Sequence, residues 1–211
     1  MRLLRTMLAL LCLSFTTACI EGEIELSFVD DVTVESSATY TMARQLFDMT
    51  GSNAAKACPG GEHTLSSESF TCRGTGKGRL EALLNEQTLP FEHAERARTE
   101  HVTFQRTSDN SVKVTVDFAA ILREQKVPED ATASLAGAED LLRAALAGHD
   151  FVFKIKAYKI LSTTGELSDD ETEAKRVIPV ANLLDSPPNV GKPFVTEVQL
   201  KKPCRFRFFC K

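Results

Sequence analysis

The sequence predicts a single α+β domain, in which an antiparallel or mixed sheet carries helices packed on one face and disulfides staple the fold. Three observations predict this class. Segments that alternate with period two are mixed with segments of helical period, and they show no regular βαβ rhythm. A hairpin signal lies near the middle of the chain. The 211 residues contain no repeat and no long linker, and their number suits one domain.

The amino-acid composition is that of an ordinary globular protein. Hydrophobic residues make up 43% of the chain and charged residues 26%, which excludes a mostly disordered, collagen-like or coiled-coil protein. The formal net charge is −4 at pH 7, so the chain has no global cationic field. We therefore expect no nucleic-acid partner, because such partners are held largely by contacts to phosphates.

The first regular element is a strand over residues 23–29. Ile24, Leu26 and Phe28 alternate there with polar residues, which is typical of a half-buried strand. A helix follows over residues 37–50 in this interpretation, with Ser37 as its N-cap. Residues 51–78 are rich in Gly and Ser, and we expect an exposed loop there, stapled by a disulfide.

The middle of the chain predicts a short helix over residues 79–87 and then a hairpin. Two alternating segments, residues 101–107 and 112–118, flank a Ser-Asp-Asn turn, which is the strongest hairpin signal in the sequence. The elements predicted after it are a helix over 119–125, a helix over 134–147, a strand over 151–160, a short acidic helix over 169–175, an edge strand over 176–180 and a last strand over 194–200.

The first residues have the form of an export signal. Arg2 and Arg5 precede an apolar run at residues 7–15, which is too short to cross a bilayer but suits a signal peptide. Small residues follow and end at Cys19. This stretch resembles the signal of a bacterial lipoprotein, in which the Cys after the small residues is lipidated and becomes the mature N-terminus.

The resemblance implies that residues 1–18 are a signal peptide and that residues 19–211 form one domain anchored by lipid at Cys19. In such lipoproteins the next residue influences sorting, and Ile20 in place of Asp implies the outer membrane, facing the periplasm. The alternative is conventional cleavage, because residues 16–18 also fit a secretory site. Cys19 would then be unmodified and the protein soluble, in the periplasm or secreted.

The cysteine count supports an oxidising compartment. Cys12 leaves with the signal, and if Cys19 carries lipid, four cysteines remain that can pair: Cys58, Cys72, Cys204 and Cys210. Local bridges, Cys58–Cys72 and Cys204–Cys210, are the first choice. In a straight strand the Cα atoms of Cys204 and Cys210 would be about 20 Å apart. A disulfide requires that the two Cα atoms lie within roughly 7 Å of each other. If that stretch is extended, both must instead pair with Cys58 and Cys72.

The C-terminal residues carry a basic patch within an acidic protein. Its cations are Lys201, Lys202, Arg205, Arg207 and Lys211, and phenylalanines are interspersed among them. Such a patch suits lipid headgroups, an anionic glycan or an acidic envelope protein. The alternative is that these residues complement the acidic body within the fold.

Motifs for catalysis, metals or cofactors are absent from the sequence. The Gly-rich segment at residues 74–78 lacks the Ser or Thr that a phosphate loop needs after Gly-Lys. No two histidines have the spacing of a zinc site, and no nucleophile elbow occurs. We therefore expect no cofactor, no metal site and no catalytic residues.

The function that the sequence favours is a lipid-anchored cell-envelope protein that acts as a non-enzymatic binding or accessory module. Two alternatives remain open at this point. One is a periplasmic carrier of a small apolar ligand or lipid, because the chain has 13 Phe and no Trp. The other is a hydrolase whose site is assembled from residues distant in sequence.

Overall fold

A computed structural model describes residues 20–87, 90, 101–124 and 139–200 of the chain. This part of the protein contains two β-sheets and five α-helices, which confirms the α+β class. The predicted signal peptide, Cys19 and the predicted basic patch lie outside the described residues. So do Cys204 and Cys210, whose pairing therefore stays a prediction.

The larger sheet is mixed and has seven strands. In spatial order they are β3 (Glu62–Leu65), β4 (Ser69–Arg79), β2 (Thr33–Ala43), β1 (Ile20–Phe28), β7 (Asp150–Lys156), β10 (Glu173–Pro179) and β9 (Glu166–Leu167). All neighbouring strands are antiparallel except β1 and β7, which run parallel. The strand β1 therefore lies at the centre of the sheet, and its first residue is Ile20.

The smaller sheet has four antiparallel strands: β5 (Val102–Ser108), β6 (Ser111–Val116), β11 (Phe194–Gln199) and β8 (Lys159–Thr163). The hairpin β5–β6 and the last strand β11 confirm two predictions from alternation. The described helices are α1 (Arg44–Met49), α2 (Ala54–Ala57), α3 (Leu80–Glu86), α4 (Phe118–Glu124) and α5 (Glu139–Leu146), and a 3₁₀ turn spans Val180–Leu184.

The main core lies between the inner faces of the two sheets. Leu26 and Phe153 from the larger sheet and Val114 and Phe194 from the smaller one are almost completely buried. The rings of Phe153 and Phe194 meet edge to face, with their centroids 6.0 Å apart. The helices α3 and α4 add apolar residues to the same core, which fixes the two sheets against each other.

A second, smaller core forms at one end of the larger sheet. Phe47 of α1 stacks on Phe70 of β4, with ring centroids 4.3 Å apart, and Cys58 and Cys72 are buried beside them. We call residues 44–73 the small lobe. It comprises α1, α2, β3 and the first half of β4, and it is separate from the main core.

The helix predicted over residues 37–50 is wrong over its first half. Residues 37–43 belong to β2, which pairs with β1 on one side and with β4 on the other. Threonine and tyrosine alternate in this segment, and such residues favour a pleated surface. The helix is limited to α1, because Arg44–Met49 is the part that packs Phe47 against the sheet.

The exposed loop predicted over residues 51–78 is also wrong, because β4 occupies Ser69–Arg79 and pairs with β2 along its full length. Its inward positions beyond Cys72 are Gly74, Gly76 and Gly78. Glycine has a low strand propensity, so these positions hide the alternation in the sequence. Gly78 accommodates Pro90, which would lie 2.7 Å from an added Cβ.

Two further differences concern the segment after residue 150. The predicted strand over 151–160 is broken at Ala157 and Tyr158, where the chain passes from β7 in one sheet to β8 in the other. The acidic helix predicted over 169–175 is absent from the structure. Asp170 instead accepts hydrogen bonds from Ser168 and Thr172 in a turn, and β10 begins at Glu173.

Candidate functional site

The outer face of the larger sheet carries the most ordered set of polar side chains in the described chain. Alternation along β1 directs Glu21, Glu23 and Glu25 outwards, while its apolar residues face the core. On the neighbouring strand β7, Lys154 and Lys156 occupy the outward positions. The same face of β2 carries mainly hydroxyl groups, which follow from its Thr- and Ser-rich sequence.

Ion pairs between strands hold this face in register. The Nζ atom of Lys154 lies 2.6 Å from a carboxylate oxygen of Glu23, and that of Lys156 lies 2.8 Å from Glu25. The hydrogen bond to Glu25 raises the pKa of Lys156 above its usual value, so this ammonium group remains charged at neutral pH. These pairs fix the long side chains over the centre of the sheet.

A shallow depression of about 410 Å³ lies on this face where β1, β2 and β4 run side by side. We call it the polar groove. The residues that line it are Glu25, Ser27, Glu35, Ser36, Ser37, Arg73, Thr75, Gly76 and Lys77. It is open to solvent and offers cationic donors, hydroxyl groups and carboxylate acceptors within one surface.

The charges of the polar groove are only partly paired. Lys77 Nζ lies 2.8 Å from Glu35, and this hydrogen bond raises the pKa of Lys77. Glu25 is held by Lys156. Arg73 is exposed and forms no ion pair with any residue that the structure describes. Its guanidinium group is therefore available for two parallel hydrogen bonds to a carboxylate or phosphate.

Two other depressions lie at the ends of β1. One of about 280 Å³ is lined by Glu21, Glu23 and Asp150, among others, and its excess of carboxylates makes it acidic. One of about 320 Å³ lies at the opposite end, beside Val29 and Tyr158. Each lacks the mixture of free cation and hydroxyl groups that distinguishes the polar groove.

Of the cysteines predicted to pair, the structure joins Cys58 to Cys72. Their sulfur atoms are 2.06 Å apart and their Cα atoms 5.5 Å apart, which is ordinary disulfide geometry. The bond ties α2 to β4 within the small lobe. The hydroxyl of Tyr40 also donates a hydrogen bond to the carbonyl of Ala57, which fixes α2 over the sheet.

The described residues contain no group of three or more His, Cys, Asp or Glu side chains that could hold a metal ion. His101 contacts one carboxylate, that of Glu124 at 2.9 Å, and His149 lies 3.6 Å from Glu21. The Gly-rich segment at residues 74–78 is part of β4, so its backbone is extended and pairs with β2. This geometry differs from the loop that cradles a phosphate.

Sequence reasoning missed the polar groove because it assigned residues 51–78 to a loop. The signal was present in β4, where Thr71, Arg73, Thr75, Lys77 and Arg79 occupy every second position. The residues between them are Cys72 and three glycines, and a period-two pattern becomes visible once glycine is allowed on the inner face. The groove also depends on the register of three strands, which no local pattern contains.

No protein-family model matches the chain, and neither does any curated protein. Among solved structures, the folded domain of LppM from Mycobacterium tuberculosis, determined by NMR, is similar over 87% of this chain and 90% of that one. The TM-score is 0.38 and the sequence identity 10%.

No helix in the described ranges is long and apolar enough to cross a membrane.

Proposed function

We propose that this chain is an exported lipoprotein of the cell envelope, and that it acts as a non-enzymatic binding module whose ligand is an anionic glycan held in the polar groove. The observation that carries the proposal is the guanidinium of Arg73, which has no ion pair among the described residues and lies beside the hydroxyl groups of Ser37 and Thr75. An acidic sugar presents a carboxylate and many hydroxyl groups. It therefore uses both the cation and the neutral donors and acceptors of such a surface.

The anchor part of the proposal is supported by the sequence of residues 1–19 and by the position of β1. The strand β1 starts at Ile20, so no linker separates the sheet from Cys19. Acyl chains contribute about 0.8 kcal/mol for each buried CH₂ group, and more than one chain gives stable attachment. On this account the domain stands directly on the bilayer, in the outer membrane facing the periplasm.

The described chain favours this function over a carrier of apolar ligands. The space between the two sheets is filled by buried side chains, Phe153 and Phe194 among them. The groove is polar and open, whereas sites for apolar ligands are enclosed and lined mainly by hydrophobic residues. A hydrolase is likewise supported by no observation in these residues, where each contact of His101 and His149 named above is to a single glutamate.

The binding part is tested by retention of the purified protein on immobilised alginate, a polyuronate, with neutral dextran beads as the blank. Arg73→Glu should weaken retention about tenfold or more, because one hydrogen bond to a charged group contributes about 1.5–3 kcal/mol. Arg79→Glu is the matched control. Arg79 lies on the same strand and the same face, but outside the groove.

Equal effects of the two substitutions, or none, would contradict the groove as the binding surface. The basic patch is a second surface that the same assay tests, with Arg205, Arg207 and Lys211 changed to glutamate together. If this triple variant alone loses retention, the ligand binds the C-terminal residues and the groove proposal fails.

A further inference from the structure

We propose that the small lobe is a membrane-contact surface, and that Met49 and Leu65 insert into the boundary between the headgroups and the acyl chains of the bilayer. This inference rests on the lipid anchor of the proposed function. It adds an orientation of the domain and a second point of attachment, neither of which follows from the anchor alone.

Register across the larger sheet places the small lobe beside the anchor. Ile20 pairs with Met42, Met42 with Phe70, and Phe70 with Leu65. These four apolar residues therefore form one row across β1, β2, β4 and β3. Neighbouring strands are about 4.8 Å apart, so Leu65 lies about 14 Å from Ile20, at the same end of the sheet.

Two apolar side chains of the lobe are exposed. Phe70 is completely buried beneath Phe47, but Met49 is 82% exposed and Leu65 is 43% exposed. Met49 follows Phe47 by two positions in α1, so it projects away from the ring stack. Methionine adapts readily to irregular apolar surroundings, which suits contact with lipid.

The lobe is held firmly enough to act as a fixed surface. The guanidinium of Arg44 pairs with Asp48 at 2.8 Å and donates a hydrogen bond to the carbonyl of Ser66 at 3.1 Å. The backbone N–H of Arg44 donates to the carbonyl of Glu68. These contacts bind α1 to the turn between β3 and β4, and the Cys58–Cys72 bond separately ties α2 to β4.

The short connection between Cys19 and β1 identifies the bilayer as the surface that the lobe contacts. Consecutive Cα atoms are 3.8 Å apart, so acyl chains on Cys19 would hold Ile20 at the headgroup level. The end of the sheet that begins at Ile20 then lies against the bilayer, and Met49 and Leu65 are the apolar side chains of the lobe that are exposed there. Exposed apolar side chains at that depth are transferred from water into lipid. The free energy of this transfer is favourable in proportion to the apolar area removed from water.

The opposite end of the sheet points away from the membrane. β1 and β7 run parallel, so Phe28 and Lys156 share the far end, about 26 Å from Ile20 at ~3.3 Å per residue. Tyr158 lies there and is 59% exposed. Leu200, which precedes the basic patch, is at this end too, because Gln199 pairs with Lys159. The polar groove lies on the far half of β1 and is clear of the bilayer.

The test uses the absence of tryptophan from this chain. The lipidated protein is purified with Met49→Trp, and separately with Tyr158→Trp as the matched control, so that each variant carries one indole at an exposed site. Both are reconstituted into vesicles of phosphatidylethanolamine and phosphatidylglycerol that contain brominated phosphatidylcholine, and co-sedimentation shows that the protein is bound. Leu65→Trp serves as a third, independent probe.

We expect the indole at residue 49 to emit at shorter wavelength than the one at residue 158, and to lose emission to brominated lipid, while the indole at residue 158 is unaffected. Bound protein with an unquenched indole at both 49 and 65 would overturn the inference. So would a shift to shorter wavelength without quenching, which would indicate contact with a second protein copy. If the protein fails to sediment with vesicles, the anchor itself fails, and that result is distinct.

Discussion

Gly165 lies at a position where the surrounding atoms leave no space for a side chain. A Cβ atom added there would lie 2.3 Å from the carbonyl oxygen of Lys175 and 2.5 Å from the ring of Phe194. Both neighbours are fixed, the first by pairing within the larger sheet and the second by burial in the main core. The close approach at this position therefore couples the two sheets, and only glycine permits it without displacement.

We predict that Gly165→Ala lowers the free energy of unfolding by about 1–3 kcal/mol, the usual cost of overpacking a fixed site. The measurement is urea unfolding followed by circular dichroism. Gly74→Ala is the control, because an added Cβ there meets nothing within 4 Å. It should leave stability unchanged or raise it slightly. Similar losses for the two variants would contradict the packing account of Gly165.

At the scale of elements, the sequence predicted those helices and strands whose local pattern of apolar residues is sufficient to determine their structure. β1, β11 and the hairpin β5–β6 alternate cleanly, and α3 carries leucines at helical spacing. Other segments depend on neighbours distant in sequence. β2 contains apolar residues that also fit a helix, and it is a strand because β1 and β4 supply its hydrogen-bond partners on both sides.

Within the candidate site, too, some features could be predicted from local sequence and others could not. Pairing of Cys58 with Cys72 could be predicted, since the two residues are close in sequence and a short loop closes at low entropic cost. The polar groove could not, because it needs the registers of β1, β2 and β4 together. The glycines of β4 conceal the strand that contributes Arg73, because they take the place of apolar residues on its inner face.

The disulfide gives a prediction at the scale of the small lobe. Replacing Cys58 and Cys72 together with serine should cost about 3 kcal/mol, the loop-closure value for a closed loop of roughly 15 residues. We expect the loss to be local. Hydrogen exchange followed by mass spectrometry should show faster exchange in α1, α2 and β3, with the hairpin β5–β6 still protected.

Wild-type protein treated with dithiothreitol is the control, and it should exchange like the double variant. Equal loss of protection in β5–β6 would mean that the lobe and the main core unfold as one unit. That result would contradict the separation of the two hydrophobic clusters.

At the scale of the whole molecule, the two ends of the larger sheet differ. The small lobe and Ile20 mark one end, where the chain meets Cys19. Tyr158 and Leu200 lie at the far end of β1, and the polar groove opens on the outer face nearby. The ion pairs of Lys154 with Glu23 and of Lys156 with Glu25 cover the centre of the outer face, and Met49 and Leu65 are exposed in the lobe.

The proposed orientation of the domain on the membrane requires that the chain is anchored by lipid at Cys19. The most direct measurement is mass spectrometry of the N-terminal peptide of the mature protein, purified from membranes. The account predicts a peptide that begins at Cys19 and carries the mass of attached acyl chains. An unmodified Cys19, or a mature chain that begins at another residue, would contradict it.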